Sequence, residues 1–206
     1  LDPRPPLGYL PAGTVNDFAS SLGISKDLEG AAQAVLSGSP VDVDIGRFGE
    51  QYFTYVAAFG AFTEVSYQTP QQSKNVFGRT AYVLEGLKRL TSLKSYQASI
   101  EYDSGICQGD YLLGMISNSS SVGGLKLLDD AQISMNDGMF EVILIQKPDS
   151  LTEMQQVINA VLLHDYSSPL ITGFRTSNLT VSCENETPWT LDGEFGGAPE
   201  KVEIED

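Results

Sequence analysis

A mainly β domain with flanking helices (α+β), layered as a β-sandwich, is the fold class that three features of the 206-residue chain predict. Short runs of β-branched and aromatic residues recur from about Ser95 onward, bounded by Gly, Pro, Asn and Asp. Helical periodicity is confined to a few stretches. A hydrophobic content of 41% is that of a globular chain able to bury a core.

In chain order, Leu7-Gly8-Tyr9-Leu10 is a short apolar run fit to finish a strand. Pro11 and Gly13 break it, and Asn16 or Asp17 is placed to cap a helix through Phe18, Ala19 and Leu22. Ser25 is read as the N-cap of a second helix, Lys26 to Ser37, with Leu28, Ala31, Ala32, Val35 and Leu36 on one face. Val41 to Ile45 alternates as a half-buried strand, turns over Gly46 to Gly49 and pairs with Tyr52 to Val56. Phe59 to Phe62 ends that run, and Ser73 to Leu90 carries helical periodicity. Tyr96 to Tyr102 and Gly109 to Ile116 flank the turn Asp103-Ser104-Gly105. Phe140 to Gln146 is opened by Asn136-Asp137-Gly138, a pattern suited to a tight hairpin. Ser150, with Glu153 three residues on, forms a capping box for a helix to Leu163. Strands are expected again at Leu170 to Phe174, Leu179 to Cys183, Trp189 to Leu191 and Lys201 to Glu205.

The net charge of −15, from 27 acidic against 12 basic residues, excludes a nucleic-acid partner, because no basic stripe exists to release counterions. It also excludes standing attraction to an anionic membrane, so a lipid would have to be reached through apolar or brief contacts. No apolar run approaches a membrane span. Cys107 and Cys183 are isolated, without metal-ligand spacing, and are read as buried thiols, with a disulfide between them left open.

Three places carry chemistry. The junction Pro11 to Ala19 would gather backbone N–H groups and a helix start at one point, which suits phosphate, although any strand-to-helix turn shares that form. Asn16 and Asp17 can orient phosphate or metal there, or only cap the helix. Asp192-Gly193-Glu194 sets two carboxylates two apart; on an extended segment they share a face and raise each other's pKa, giving a general-base candidate. The other reading is an ordinary Asp-Gly turn. Asn136-Asp137-Gly138 is an oxygen-rich turn fit for a hard cation or, equally, for a type I′ hairpin without one. His164 is given no role. Tyr52, Phe53, Tyr55, Phe59 and Phe62 are read as core or as the lining of an acyl-chain groove.

The run Pro11-Ala12-Gly13-Thr14-Val15-Asn16-Asp17-Phe18-Ala19 resembles the P-x-G-T-x-N-D-F-A signature of the diacylglycerol kinase family. These are soluble bacterial lipid kinases related to sphingosine kinases. Gln51 to Gly60, Lys74 to Tyr82, Asn118 with Gly123-Gly124, Asn136 to Gly138 and Leu191 to Glu194 resemble further family motifs, in order. The resemblance implies an ATP- and Mg-dependent kinase for diacylglycerol or a similar lipid alcohol. Glu194 is its proton acceptor beside Asp192, and Gly13, Thr14, Asn16 and Asp17 lie on the nucleotide side. A structural Mg is implied at Asn136, Asp137, Met139 and Glu141. A cytoplasmic protein in peripheral contact with the inner membrane face follows, with a homodimer left open. The family's upstream G-G-D-G-T loop is absent here, so residues 1–24 are expected to end a nucleotide-binding domain and 25–206 to form the C-terminal domain. This chain alone is then expected to be inactive. The rival readings are an NAD kinase and a non-catalytic lipid-binding relative.

Overall fold

The computed structural model describes residues 5–13, 16–61, 94–119, 121–122, 125–126, 134–163 and 166–206. The expected helix over Ser73 to Leu90, together with Thr14, Phe62, Gly123, Gly124 and His164, lies outside them.

Among the described residues the elements are α1 (Asp17–Ser21), α2 (Leu28–Ser37), β1 (Gly46–Phe48), β2 (Gln51–Phe53) and β3 (Val56–Gly60). They continue with β4 (Tyr96–Tyr102), β5 (Gly105–Ser117), β6 (Ser121–Val122), β7 (Leu125–Lys126) and β8 (Phe140–Gln146). The chain ends with α3 (Leu151–Leu163), β9 (Ile171–Thr176), β10 (Asn178–Cys183), β11 (Trp189–Leu191), β12 (Glu194–Phe195) and β13 (Lys201–Glu205). Every strand pairing is antiparallel.

Strand β5 is the hub. Tyr111 pairs with Tyr96 of β4 and also with Gln146 of β8, so β4 and β8 lie on its two edges. Beyond a register shift between Tyr111 and Leu113, β3 pairs with residues 113–117. Three branches leave the hub, β8-β9, β3-β11-β12 and β4-β10-β13-β1-β2, and the last two are the long arms of the sheet. Those two arms curl until they face each other: the Trp189 ring on β11 meets Phe48 on β1 at 5.0 Å and Phe59 on β3 at 4.8 Å. Gln51 Nε2 donates to the Gly196 carbonyl at 2.8 Å, bringing the β2 end to the β12 end. The expected sandwich-like β domain is what forms.

Two cores explain the burial patterns. Phe48, Phe53, Phe59, Ile100, Phe140, Leu144 and Trp189 fill the inside of the curl. Val56, Ala58, Met115, Ile143 and Ile145 point the other way, under Val157, Ala160 and Val161 of α3. Strands β3 and β8 are thus covered on both faces and read as apolar runs, whereas β4 and β13 alternate toward solvent. Each valine buried under α3 contributes about 1.5–3 kcal/mol. Helix α3 starts as expected: Ser150 Oγ accepts from Glu153 N at 3.2 Å, and Glu153 Oε2 reaches back to Asp149 N at 2.7 Å.

Several expectations are corrected. Residues 7–10 form no strand; they have no strand partner among the described residues. Helix α2 is capped by Asp27, whose carboxylate accepts from Gly30 N at 2.8 Å, and Ser25 instead donates to that carboxylate. Of its apolar face Ala31 is buried, while Leu28, Val35 and Leu36 stay exposed. Val41 to Ile45 alternates but is no strand, because Asp44 N donates to Met135 O at 2.8 Å instead of entering a ladder. The hairpin there is β1–β2, closed over Gly49-Glu50. Strand β3 ends at Gly60, at φ +91°, where a Cβ would lie 2.2 Å from the Leu112 carbonyl oxygen. Cys107 and Cys183 are free thiols, half-buried against the inner core.

Candidate functional site

The signature turn is built by one amide. Asn16 Oδ1 accepts from Gly13 N and Asn16 Nδ2 donates to Gly13 O, both at 2.8 Å. That reciprocal pair holds Asn16 in the left-handed region at φ 55°, a conformation asparagine tolerates. Asn16 sits at the N-cap of α1 but makes no side-chain cap bond; its amide is spent on Gly13. Asp17 follows as the first helical residue and is buried. The Tyr55 hydroxyl lies 3.1 Å from Asp17 Oδ2, and Ser21 Oγ lies 2.8 Å from Ser119 Oγ, so α1 is fastened to the β domain.

At Asp192-Gly193-Glu194 the extended-strand expectation is overturned. Leu191 pairs with Glu194 across β11 and β12, leaving Asp192 and Gly193 as a two-residue turn at φ 52° and 94°. Both central residues are left-handed, as a type I′ turn requires, so the two carboxylates do not share a strand face. Asp192 is exposed, and its carboxylate folds back onto the backbone of residues 54–56, where its acceptor positions are filled. It accepts from Thr54 N (2.8 Å), Tyr55 N (2.9 Å), Val56 N (2.9 Å) and the Thr54 hydroxyl (3.0 Å). Glu194 is exposed on the short strand that the turn creates.

The Asn136-Asp137-Gly138 turn lies on the same network. Tyr55 O accepts from Asn118 N at 3.0 Å, and Asn118 Nδ2 donates to Asp44 O at 2.8 Å. Asp44 Oδ2 in turn accepts from Gly138 N at 2.7 Å. Only Gly138 of the three has positive φ (68°), so this is not a type I′ hairpin. Asp137 Oδ2 accepts from Arg175 Nη2 at 2.6 Å, and Arg175 Nε donates to Glu141 Oε1 at 3.1 Å. Glu141 is fully buried, and its Oε2 has no hydrogen-bond partner. Burial, partly opposed by Arg175, pushes its carboxyl up to about 7. Burial and the neighbouring Asp44 and Asp137 hold Asp206 above the usual carboxylate range.

The expected metal set does not fit a divalent cation in this arrangement. The permanently cationic guanidinium of Arg175 already pairs with both Asp137 and Glu141, in the place a cation would take. Asn136 Oδ1 accepts from Ser134 Oγ at 2.6 Å, and Met139 N donates to Asp137 Oδ1 at 3.2 Å. Among the described residues no three His, Cys, Asp or Glu are grouped to hold a metal.

The structure thus brings Gly13, Asn16, Asp17, Asn118, Asp137, Asp192 and Glu194 onto one hydrogen-bonded strip centred on residues 54–56. Sequence reasoning missed Tyr55 as its centre, and Asp44 and Arg175 as its ties. The repeated acid in Val41-Asp42-Val43-Asp44 was the available signal for Asp44. Of the expected groove aromatics, Phe53 and Phe59 are core and Tyr52 is exposed.

A curled β-sandwich entered from a short turn and helix defines the class: residues 56–205 match the "YegS C-terminal NAD kinase beta sandwich-like domain", and 1–48 the "Diacylglycerol kinase catalytic domain". The chain belongs to the diacylglycerol kinase family. It is 38% identical to the diacylglycerol kinase of Bacillus subtilis (strain 168) over 200 residues, covering 96% of this chain and 65% of that protein. To the Staphylococcus epidermidis (strain RP62A) diacylglycerol kinase it is 34% identical over 196 residues, covering 94% and 61%. The chain therefore spans less than two thirds of these relatives' length. Crystal structures of a candidate diacylglycerol kinase and of a diacylglycerol kinase, both from Bacillus anthracis (strain Sterne), share the fold. Their TM-scores are 0.76 and 0.69 at 24% and 19% identity, covering all of this chain and 68% and 65% of theirs. Among the described residues no helix is long and apolar enough to cross a membrane.

Proposed function

We propose that this chain is the acceptor-side portion of an ATP- and Mg-dependent kinase that phosphorylates diacylglycerol or a similar lipid alcohol. The observation that carries the reading is the Asp192-Gly193 turn, which ties the Asp192 carboxylate to the backbone of residues 54–56 and sets the exposed Glu194 on the strand beside it. In the transfer, the lipid hydroxyl oxygen attacks the γ-phosphorus, its proton passes to the Glu194 carboxylate, and ADP departs. Gly13, Thr14, Asn16 and Asp17 would be the residues on the nucleotide side, and Mg bound with ATP would supply charge neutralisation on the phosphates. On this reading residues 1–24 close a nucleotide-binding domain, residues 25–206 carry the base, and the chain by itself is inactive. The protein works in the cytoplasm and meets its lipid at the inner membrane face by brief contact, its net charge of −15 opposing residence on anionic lipid.

The test is transfer of labelled γ-phosphate from ATP to diacylglycerol in mixed micelles by full-length protein. Phosphatidic acid formed only with Mg present supports the reading. Tight diacylglycerol binding without turnover would point to the non-catalytic relative instead.

A further inference from the structure

Tyr55 joins the two halves of the site. Its backbone N–H donates to Asp192 Oδ1 at 2.9 Å and its carbonyl accepts from Asn118 N at 3.0 Å, so its main chain is fixed from both sides by motif residues. Its hydroxyl lies 3.1 Å from Asp17 Oδ2 and 3.1 Å from the Ser121 carbonyl oxygen. Phe18 packs edge-on against its ring at 6.4 Å. Helix α1, which carries Asp17, has five residues. A single turn does not hold its own pose in water, so contacts with the β domain set the direction of the Asp17 carboxylate.

Resting on the kinase reading above, we propose that Tyr55 is a positioning residue whose hydroxyl aims the Asp17 carboxylate at the nucleotide side of the site. Placement of Mg·ATP and placement of the base then share one strip of main chain, residues 54–56. Asp17 touches the nucleotide side; Tyr55 acts through it. Removing the hydroxyl alone leaves the ring against Phe18, so aim is separated from packing.

The experiment measures Mg·ADP affinity by calorimetry on full-length protein and its Tyr55→Phe variant. Affinity should fall about tenfold, the size of one hydrogen bond to a charged group. The melting midpoint without nucleotide should move by less than about 2 °C. In an Asp17→Asn background the same change should alter affinity less than about twofold, because coupled residues are not additive. Unchanged affinity in Tyr55→Phe overturns the assignment, as does a tenfold loss that persists beside Asp17→Asn. Unaltered protein that fails to bind Mg·ADP overturns it too. Failure of the kinase reading is told apart by phosphate transfer: a Tyr55-dependent Mg·ADP site with no transfer to any lipid alcohol keeps the assignment and discards the kinase.

Discussion

Two Asp-Gly turns sit on one network and treat their carboxylates in opposite ways. Asp192 is held by three backbone N–H groups and one hydroxyl, all neutral dipoles. Asp137 is held by Arg175, which also reaches the buried Glu141. A dipole cage fixes a carboxylate without cancelling its charge, whereas an ion pair cancels it. The Asp192 turn thus leaves its carboxylate bonded to dipoles alone, next along the chain to Glu194, the base of the proposed reaction. The Asp137 turn is a brace between β8 and β9. The same dipeptide makes a dipole cage in one place and an ion-paired joint in the other.

Four substitutions sharpen or break that contrast. Arg175→Met should cost most, about 3 kcal/mol at pH 8 by urea denaturation, since it strands the buried Glu141 charge. A cost below about 1 kcal/mol would mean that the brace is decorative. Asp192→Asn should cost less, about 1–2 kcal/mol. Asparagine keeps the left-handed turn, so the loss isolates the carboxylate's bonds. Glu141→Gln is read through pH. The folded-state carboxyl is raised to about 7, above its unfolded value, so the native state binds the extra proton between them. Stability of the unaltered protein should therefore fall as pH rises from about 4.5 to about 7. That slope should flatten in Glu141→Gln; an unchanged slope would place the titration elsewhere. Glu194→Gln should change stability least, by under about 0.5 kcal/mol, because the side chain is exposed.

Much of this was legible in the sequence. The β class, α3 with its capping box, and β11 and β13 to the residue follow from alternation and caps. What misled was alternation without a partner: Val41 to Ile45 has the right period, yet Asp44 spends its backbone and side chain on the Gly138 turn. Local pattern does not record which distant group completes a hydrogen bond. The site shows the same limit. Asp192 and Glu194 were visible as a pair, but the caging of Asp192 depends on Thr54, Tyr55 and Val56, more than 130 residues away in sequence. The ion pair that occupies the expected metal turn was equally invisible, since Arg175 enters from β9.

The most direct test of Glu194 as the base beside a caged Asp192 is phosphate transfer to diacylglycerol by full-length protein, beside Glu194→Gln and Asp192→Asn at equal folded concentration. Glu194→Gln should lose about a thousandfold or more with its melting midpoint intact. Asp192→Asn should lose less, in step with its reduced stability. Full activity in Glu194→Gln, with Asp192→Asn inactive though folded, would make Asp192 the base instead.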